Sequence, residues 1–158
     1  RDYAALADTV MVTLSKGLGC PVGSLLAGTE ATMERAWQVR RRLGGGMRQS
    51  GILAAAGLHA LEHHRDRLAD DHANAALLGG LVAEIDGVSV VPPQTNIVMI
   101  DLPEGGPGTA AVITGLAQTG VLVTQFGSRR LRAVTHLDVD EDGVRFAADA
   151  LARLLDAA

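Results

Sequence analysis

Lys16 is the only lysine in the 158-residue chain, and the other thirteen of its fourteen Lys and Arg residues are arginines. It ends the run Thr9-Val10-Met11-Val12-Thr13-Leu14-Ser15 and precedes Gly17-Leu18-Gly19. Arginine can replace lysine as a solvated charge, but its guanidinium does not lose a proton and cannot serve as an amine nucleophile. A lysine amine condenses with a carbonyl to give a Schiff base, and reacts when burial or cationic neighbours lower its pKa. Lys16 is therefore a candidate covalent attachment point, held by a strand end and approachable across a glycine-rich turn. The competing explanation is an arginine-biased composition in which one lysine persists without a role. Ser15 could donate its hydroxyl to a phosphate, or simply satisfy backbone at the strand end.

Two arginines carry candidate anion chemistry. Arg48 follows Gly44-Gly45-Gly46 at a predicted helix start, where backbone amides and the helix dipole favour an anion. It is a candidate phosphate ligand, against a surface or interface salt bridge. Arg132 sits on a predicted strand, and strand alternation puts Arg132, Val134 and His136 on one face. A guanidinium fork matches a carboxylate in two parallel bonds; the alternative is a partly buried structural ion pair. His136 is a proton-transfer candidate or a structural histidine. His59 and His63 stand four apart on a helix, but no acidic helix motif accompanies them and no metal site is expected. Cys20 fills a small niche or is a reactive thiol. The glycines at 105, 106 and 108 form no phosphate loop with a lysine.

The elements that must position these residues can be read from apolar period. Val10 to Leu14 is a near-continuous apolar run, expected to be a strand buried on both faces. Val22 to Ala27 suggests a second strand nearby. Thr32 to Leu43 repeats Met33, Ala36, Trp37 and Arg40 on one helical face, and the glycine triplet stops it. Gln49 to about His64 is expected as a largely buried helix. Another, from about Asp66 to Ile85, places Leu68, His72, Ala75, Leu78, Val82 and Ile85 on one stripe. The charged cluster His63-His64-Arg65-Asp66-Arg67 between them is expected to be a hinge between a larger and a smaller domain.

Beyond Asp86-Gly87, short strands alternate with helices: Val88 to Val91, Ile97 to Leu102, a helix from Thr109 to Thr119, Val121 to Gln125, Leu131 to Leu137, and a final helix from Glu141 to Leu155. Such interleaving predicts an α/β or α+β layer with helices covering a sheet.

Composition excludes several classes. A net charge of −4 and a pI near 5.7 argue against a nucleic-acid surface. The run Arg40-Arg41-Arg42 is too short to reverse that. One cysteine excludes an internal disulfide and fits a reducing compartment. No export signal is visible and no stretch reaches the ~18 apolar residues of a membrane span, so a cytoplasmic protein is expected. A chain that opens on Arg1 without methionine is expected to be a fragment or processed product.

The segments S-K-G-L-G-x-P-V-G-S, G-G-G-M-R-Q-S-G and R-A-V-T-H-L-D-V, in that order, resemble the pyridoxal-phosphate-dependent L-threonine aldolases of the low-specificity type, within the beta-eliminating lyase group. The resemblance runs from about Ala5 to about Leu155 and covers only the C-terminal half of what that family's chains contain. It implies a fold-type-I, transferase-like α/β architecture: residues 1–64 as the C-terminal part of the large, cofactor-binding domain and residues 65–158 as the small C-terminal domain. It implies pyridoxal 5'-phosphate bound as a Schiff base to Lys16, Arg48 near the cofactor phosphate, and Arg132 on the substrate's carboxylate, with Arg129 and Arg130 matching less well. It also implies a homo-oligomer, dimer or tetramer, and an N-terminal half that brings the ring-stacking histidine and the carboxylate paired with the pyridine nitrogen. The activity implied is cleavage of threonine or another β-hydroxy amino acid to glycine and an aldehyde, with the 158 residues alone expected to be inactive. Two other readings remain open: a different fold-type-I lyase, and a non-catalytic scaffold or subunit-contact module.

Overall fold

The structure, a computed structural model, describes residues 2–156. The chain divides into two compact units, Arg1–Asp66 and Arg67–Ala158.

In the first unit, after a short 3-10 turn at Ala4–Leu6, β1 (Thr9–Thr13) pairs antiparallel with β2 (Ser24–Gly28), Thr9 opposite Gly28 and Thr13 opposite Ser24. Residues 14–23 form the connection. Helix α1 (Glu30–Arg42) starts at Thr29, whose side-chain oxygen accepts the N–H of Thr32, a cap that contributes about 1 kcal/mol. Its last turn carries Arg40, Arg41 and Arg42, cations that suit the negative end of the helix. Gly44, at φ +77°, takes the chain out of the helix, a conformation glycine adopts without steric cost. Helix α2 (Gly51–His63) follows.

Two expectations about this unit fail. β1 is not buried on both faces, since Met11 is 63% exposed and Val12 44%. The sheet has two strands only, and among the described residues of this unit no layer covers both of its faces. Nor is α2 largely buried: Gly57 and Ala60 are its buried residues, whereas Ile52 is 78% exposed and Leu58 62%. An apolar period reports which face seeks cover, and not whether this chain supplies it.

The second unit closes its own core. A four-stranded antiparallel sheet runs β3 (Ser89–Val91), β4 (Ile97–Asp101), β6 (Arg130–Val134), β5 (Thr124–Gln125). Val98, Ile100, Leu131 and Ala133 point to one face and are buried there with residues of α3 (Leu68–Ala83), α4 (Thr109–Gln118) and α5 (Glu141–Asp156). From α3 the buried set includes Ala75, Leu78 and Val82, as the period predicts. His72, expected on that stripe, is exposed instead. Its neighbour Asp71 is fully buried, held by Arg67 at 2.6 Å. A buried carboxylate needs such a partner because an uncompensated buried charge is costly. The Thr135 hydroxyl donates to the Asp71 carbonyl at 2.6 Å, tying the end of β6 to α3.

Candidate active site

The turn between β1 and β2 sorts its residues by burial. Leu14, Leu18 and Cys20 are buried, whereas Ser15 and Lys16 are exposed. The Gly19 N–H donates to the Lys16 carbonyl at 2.8 Å and the Cys20 N–H to the Leu14 carbonyl at 3.0 Å. Gly19, at φ +72°, supplies the left-handed residue that this tight turn needs. The turn is docked on α2: the Cys20 thiol faces the Ala56 carbonyl at 3.6 Å, and His64 Nδ1 lies 2.8 Å from the Leu18 carbonyl oxygen. An exposed amine is thus carried on an anchored support.

Arg48 precedes α2 in the same unit and is exposed. Gln49 beside it has φ 51°, the one non-glycine residue with positive φ among the described residues. Such a backbone is uncommon outside glycine. Ser50, at the N-cap of α2, makes no side-chain cap hydrogen bond, which leaves the first amides of the helix without a side-chain acceptor. Lys16, Ser15 and Arg48 therefore belong to one unit, the first two on a turn docked to α2 and the third at its entry.

Arg132 belongs to the second unit. On β6 it is half-buried, opposite Met99 of β4 and Thr124 of β5, on the sheet face away from the core. Val134 shares that face, but β6 ends there, so strand alternation does not extend to His136. His136 is exposed, its Nδ1 accepting the Asp138 N–H at 3.3 Å. A cavity of about 340 Å³ in this unit is lined by apolar residues such as Leu131, Val144 and Phe146 and excludes Arg132.

The three arginines of this segment divide sharply. Arg129 is spent on backbone carbonyls, including those of Leu102 and Pro103. Arg130 grips Asp101 through two bonds of 2.7 Å. Arg132 enters no ion pair among the described residues, and the same is true of Lys16 and Arg48. Hydrogen bonding from Arg130 holds the Asp101 carboxyl below its ordinary value of 3.8, against a smaller opposing effect of burial. A depressed acid adds stability above its unfolded value and loses it as pH falls through the folded one. Asp101→Asn should therefore lower urea stability at neutral pH, and the gap to the parent should narrow below the ordinary carboxylate range. A gap that stays constant across that range would rule the pair out as its cause.

Among the described residues no group of three His, Cys, Asp or Glu side chains could hold a metal ion, and no helix is long and apolar enough to cross a membrane. The His64 bond and the Asp101–Arg130 pair were not foreseen. Their partners lie 46 and 29 residues apart, and no local spacing signals such contacts.

The sequence profile of the beta-eliminating lyase family matches residues 1–104, more than half of the 158, and the chain belongs to that family. It is 40% identical to low-specificity L-threonine aldolase 1 of Arabidopsis thaliana over 143 residues, which is 89% of this chain and 40% of that protein. To the low specificity L-threonine aldolase of Escherichia coli strain K12 it is 41% identical over 142 residues, 90% of this chain and 41% of that one. The chain thus spans about two fifths of the length of these relatives. A crystal structure from an Exiguobacterium species, provisionally assigned as an aromatic amino acid beta-eliminating lyase/threonine aldolase, superposes with a TM-score of 0.77 over 97% of this chain and 46% of its own, at 21% identity. That likeness establishes the fold, the α/β architecture of fold-type-I pyridoxal enzymes.

Proposed function

We propose that these residues are the C-terminal part of a longer pyridoxal-phosphate-dependent aldehyde-lyase that cleaves L-threonine and related β-hydroxy amino acids to glycine and an aldehyde. The observation that carries this reading is Lys16: the sole lysine, exposed and in no ion pair among the described residues, on a turn anchored by buried Leu14, Leu18 and Cys20. An amine so placed can meet an aldehyde. The residues present fit the phosphate as well. Arg48 would hold its oxygens at the uncapped entry to α2, where amides and dipole add to the attraction, and Ser15 would add a hydroxyl donor. When bound, pyridoxal phosphate supplies the electron sink for the electron pair left as the Cα–Cβ bond breaks.

Arg132 would fix the amino acid by its carboxylate. Its competitor for that task within the segment, Arg130, is already neutralised by Asp101. The β-hydroxyl proton would go to a group outside these residues, in the N-terminal half that the family resemblance implies. Residues 1–64 then act as the end of the cofactor-binding domain and residues 65–158 as the small domain.

The exposed apolar side chains of the first unit, among them Met11, Leu25, Leu26, Trp37 and Ile52, are more than isolated surface residues require. They suit a surface covered by that N-terminal half and by a second subunit, in a cytoplasmic homo-oligomer such as a tetramer. The test is to compare the isolated 158 residues with a protein that also carries the N-terminal half. Only the longer protein should release glycine and acetaldehyde from L-threonine with pyridoxal phosphate, and light scattering should find it oligomeric. Absence of both products would refute the activity, and a fully active monomer would refute the assembly. Recovery of the protein from the medium or from an exported fraction released before the cells are lysed would refute the location.

A further inference from the structure

We propose that His64 is a positioning residue for Lys16, a reading that rests on Lys16 as the site of cofactor attachment. Three attachments hold the lysine turn on α2. A methyl group of Leu14 lies against Gly57, 3.3 Å from where a Cβ would stand. The Cys20 thiol faces the Ala56 carbonyl at 3.6 Å, and His64 Nδ1 lies 2.8 Å from the Leu18 carbonyl oxygen.

Only the last is a strong, directional bond. An apolar contact has no preferred direction, and a thiol is a weak donor. A carbonyl oxygen only accepts, so Nδ1 carries the proton. Leu18 is two residues from Lys16, inside the turn closed by the Gly19 N–H to the Lys16 carbonyl. Movement of Leu18 along α2 therefore carries the lysine with it.

The imidazole is not needed to end the helix, because the His64 N–H itself caps it on the Ala60 carbonyl at 2.8 Å. The ring is part-buried, and His59 packs edge-on against it with 5.2 Å between centroids. The side chain is thus held in place for its bond to the turn. A reacting group displaced by about 1 Å loses on the order of a hundredfold in rate.

The test uses a protein that carries the N-terminal half and compares the parent with His64→Leu and His64→Asn. Asparagine offers an amide N–H near the position of Nδ1–H, and leucine offers no donor. Covalent attachment of pyridoxal phosphate is followed as borohydride-fixed mass on the Lys16 peptide. His64→Leu should slow it by about ten- to a hundredfold, and His64→Asn should recover most of the rate, with both variants melting at similar temperatures. Nitrogen-15 spectra of the parent should show Nδ1 of His64 protonated.

Equal losses in the two variants, losses that simply follow melting temperature, or an unprotonated Nδ1 would overturn the proposal. Attachment at Lys16 with equal rates in the parent and His64→Leu would overturn it alone. Attachment at a different lysine in the parent would overturn the Lys16 reading and this one with it.

Discussion

Replacing Lys16 by alanine in a protein that carries the N-terminal half should reduce threonine cleavage by on the order of a thousandfold or more, the scale on which loss of a covalent nucleophile falls, and should abolish covalent cofactor attachment. The fold should be untouched. Lys16 is exposed and enters no ion pair among the described residues, and surface changes of that kind usually stay within about 0.5 kcal/mol. Lys16→Arg sharpens the point, because it keeps the charge and removes the nucleophilic amine. Both variants should fail alike. Borohydride-fixed cofactor still carried by either variant would show that the attachment point lies elsewhere, and activity retained by Lys16→Arg would show that charge is what matters.

The second large effect separates two arginines assigned to different anions. Arg132→Lys keeps a cation at the half-buried position on β6 but loses the two-pronged geometry. Charge-assisted hydrogen bonds contribute about 1.5–3 kcal/mol, and about 1.4 kcal/mol is a tenfold change in affinity. Threonine binding should therefore weaken by roughly ten- to a hundredfold with pyridoxal phosphate binding nearly unchanged. Arg48→Lys should show the reverse order, losing cofactor first. Titration of each variant with pyridoxal phosphate and then with threonine distinguishes them. Identical profiles would mean that at least one arginine has been given the wrong anion.

What the sequence discloses here follows from the range of the interactions. Lys16 stands out by residue type alone, and helix α1 by its period and the glycines after it, all local features, although its start at Glu30, capped by Thr29, lies two residues before the expected one. The core of the second unit was equally legible, because Ala75, Leu78 and Val82 or Leu131 and Ala133 meet partners within the same unit. β1 and α2 were misjudged for the converse reason. Their apolar residues announce a covered surface, while the described residues of the first unit leave Met11 and Ile52 exposed. The expected strand ran to Leu137, three residues past the observed end of β6 at Val134, and so wrongly included His136. The resemblance already favoured Arg132 over Arg129 and Arg130; what needed three dimensions was the pairing of Arg130 with Asp101, which lies on another strand.

β6 carries an evolutionary consequence of its own. Its five residues place Leu131 and Ala133 in the core, and Arg130, Arg132 and Val134 on the other face. Single replacements at either set can drift separately, one exchanging anion preference and the other repacking. A one-residue insertion or deletion inside the strand has no such freedom, because a slip by one exchanges the two faces. It would drive guanidinium groups among Val98, Ile100 and Val144 and turn the leucine outward. Unless a bulge absorbs the change, this strand therefore tolerates new letters far more readily than a new length.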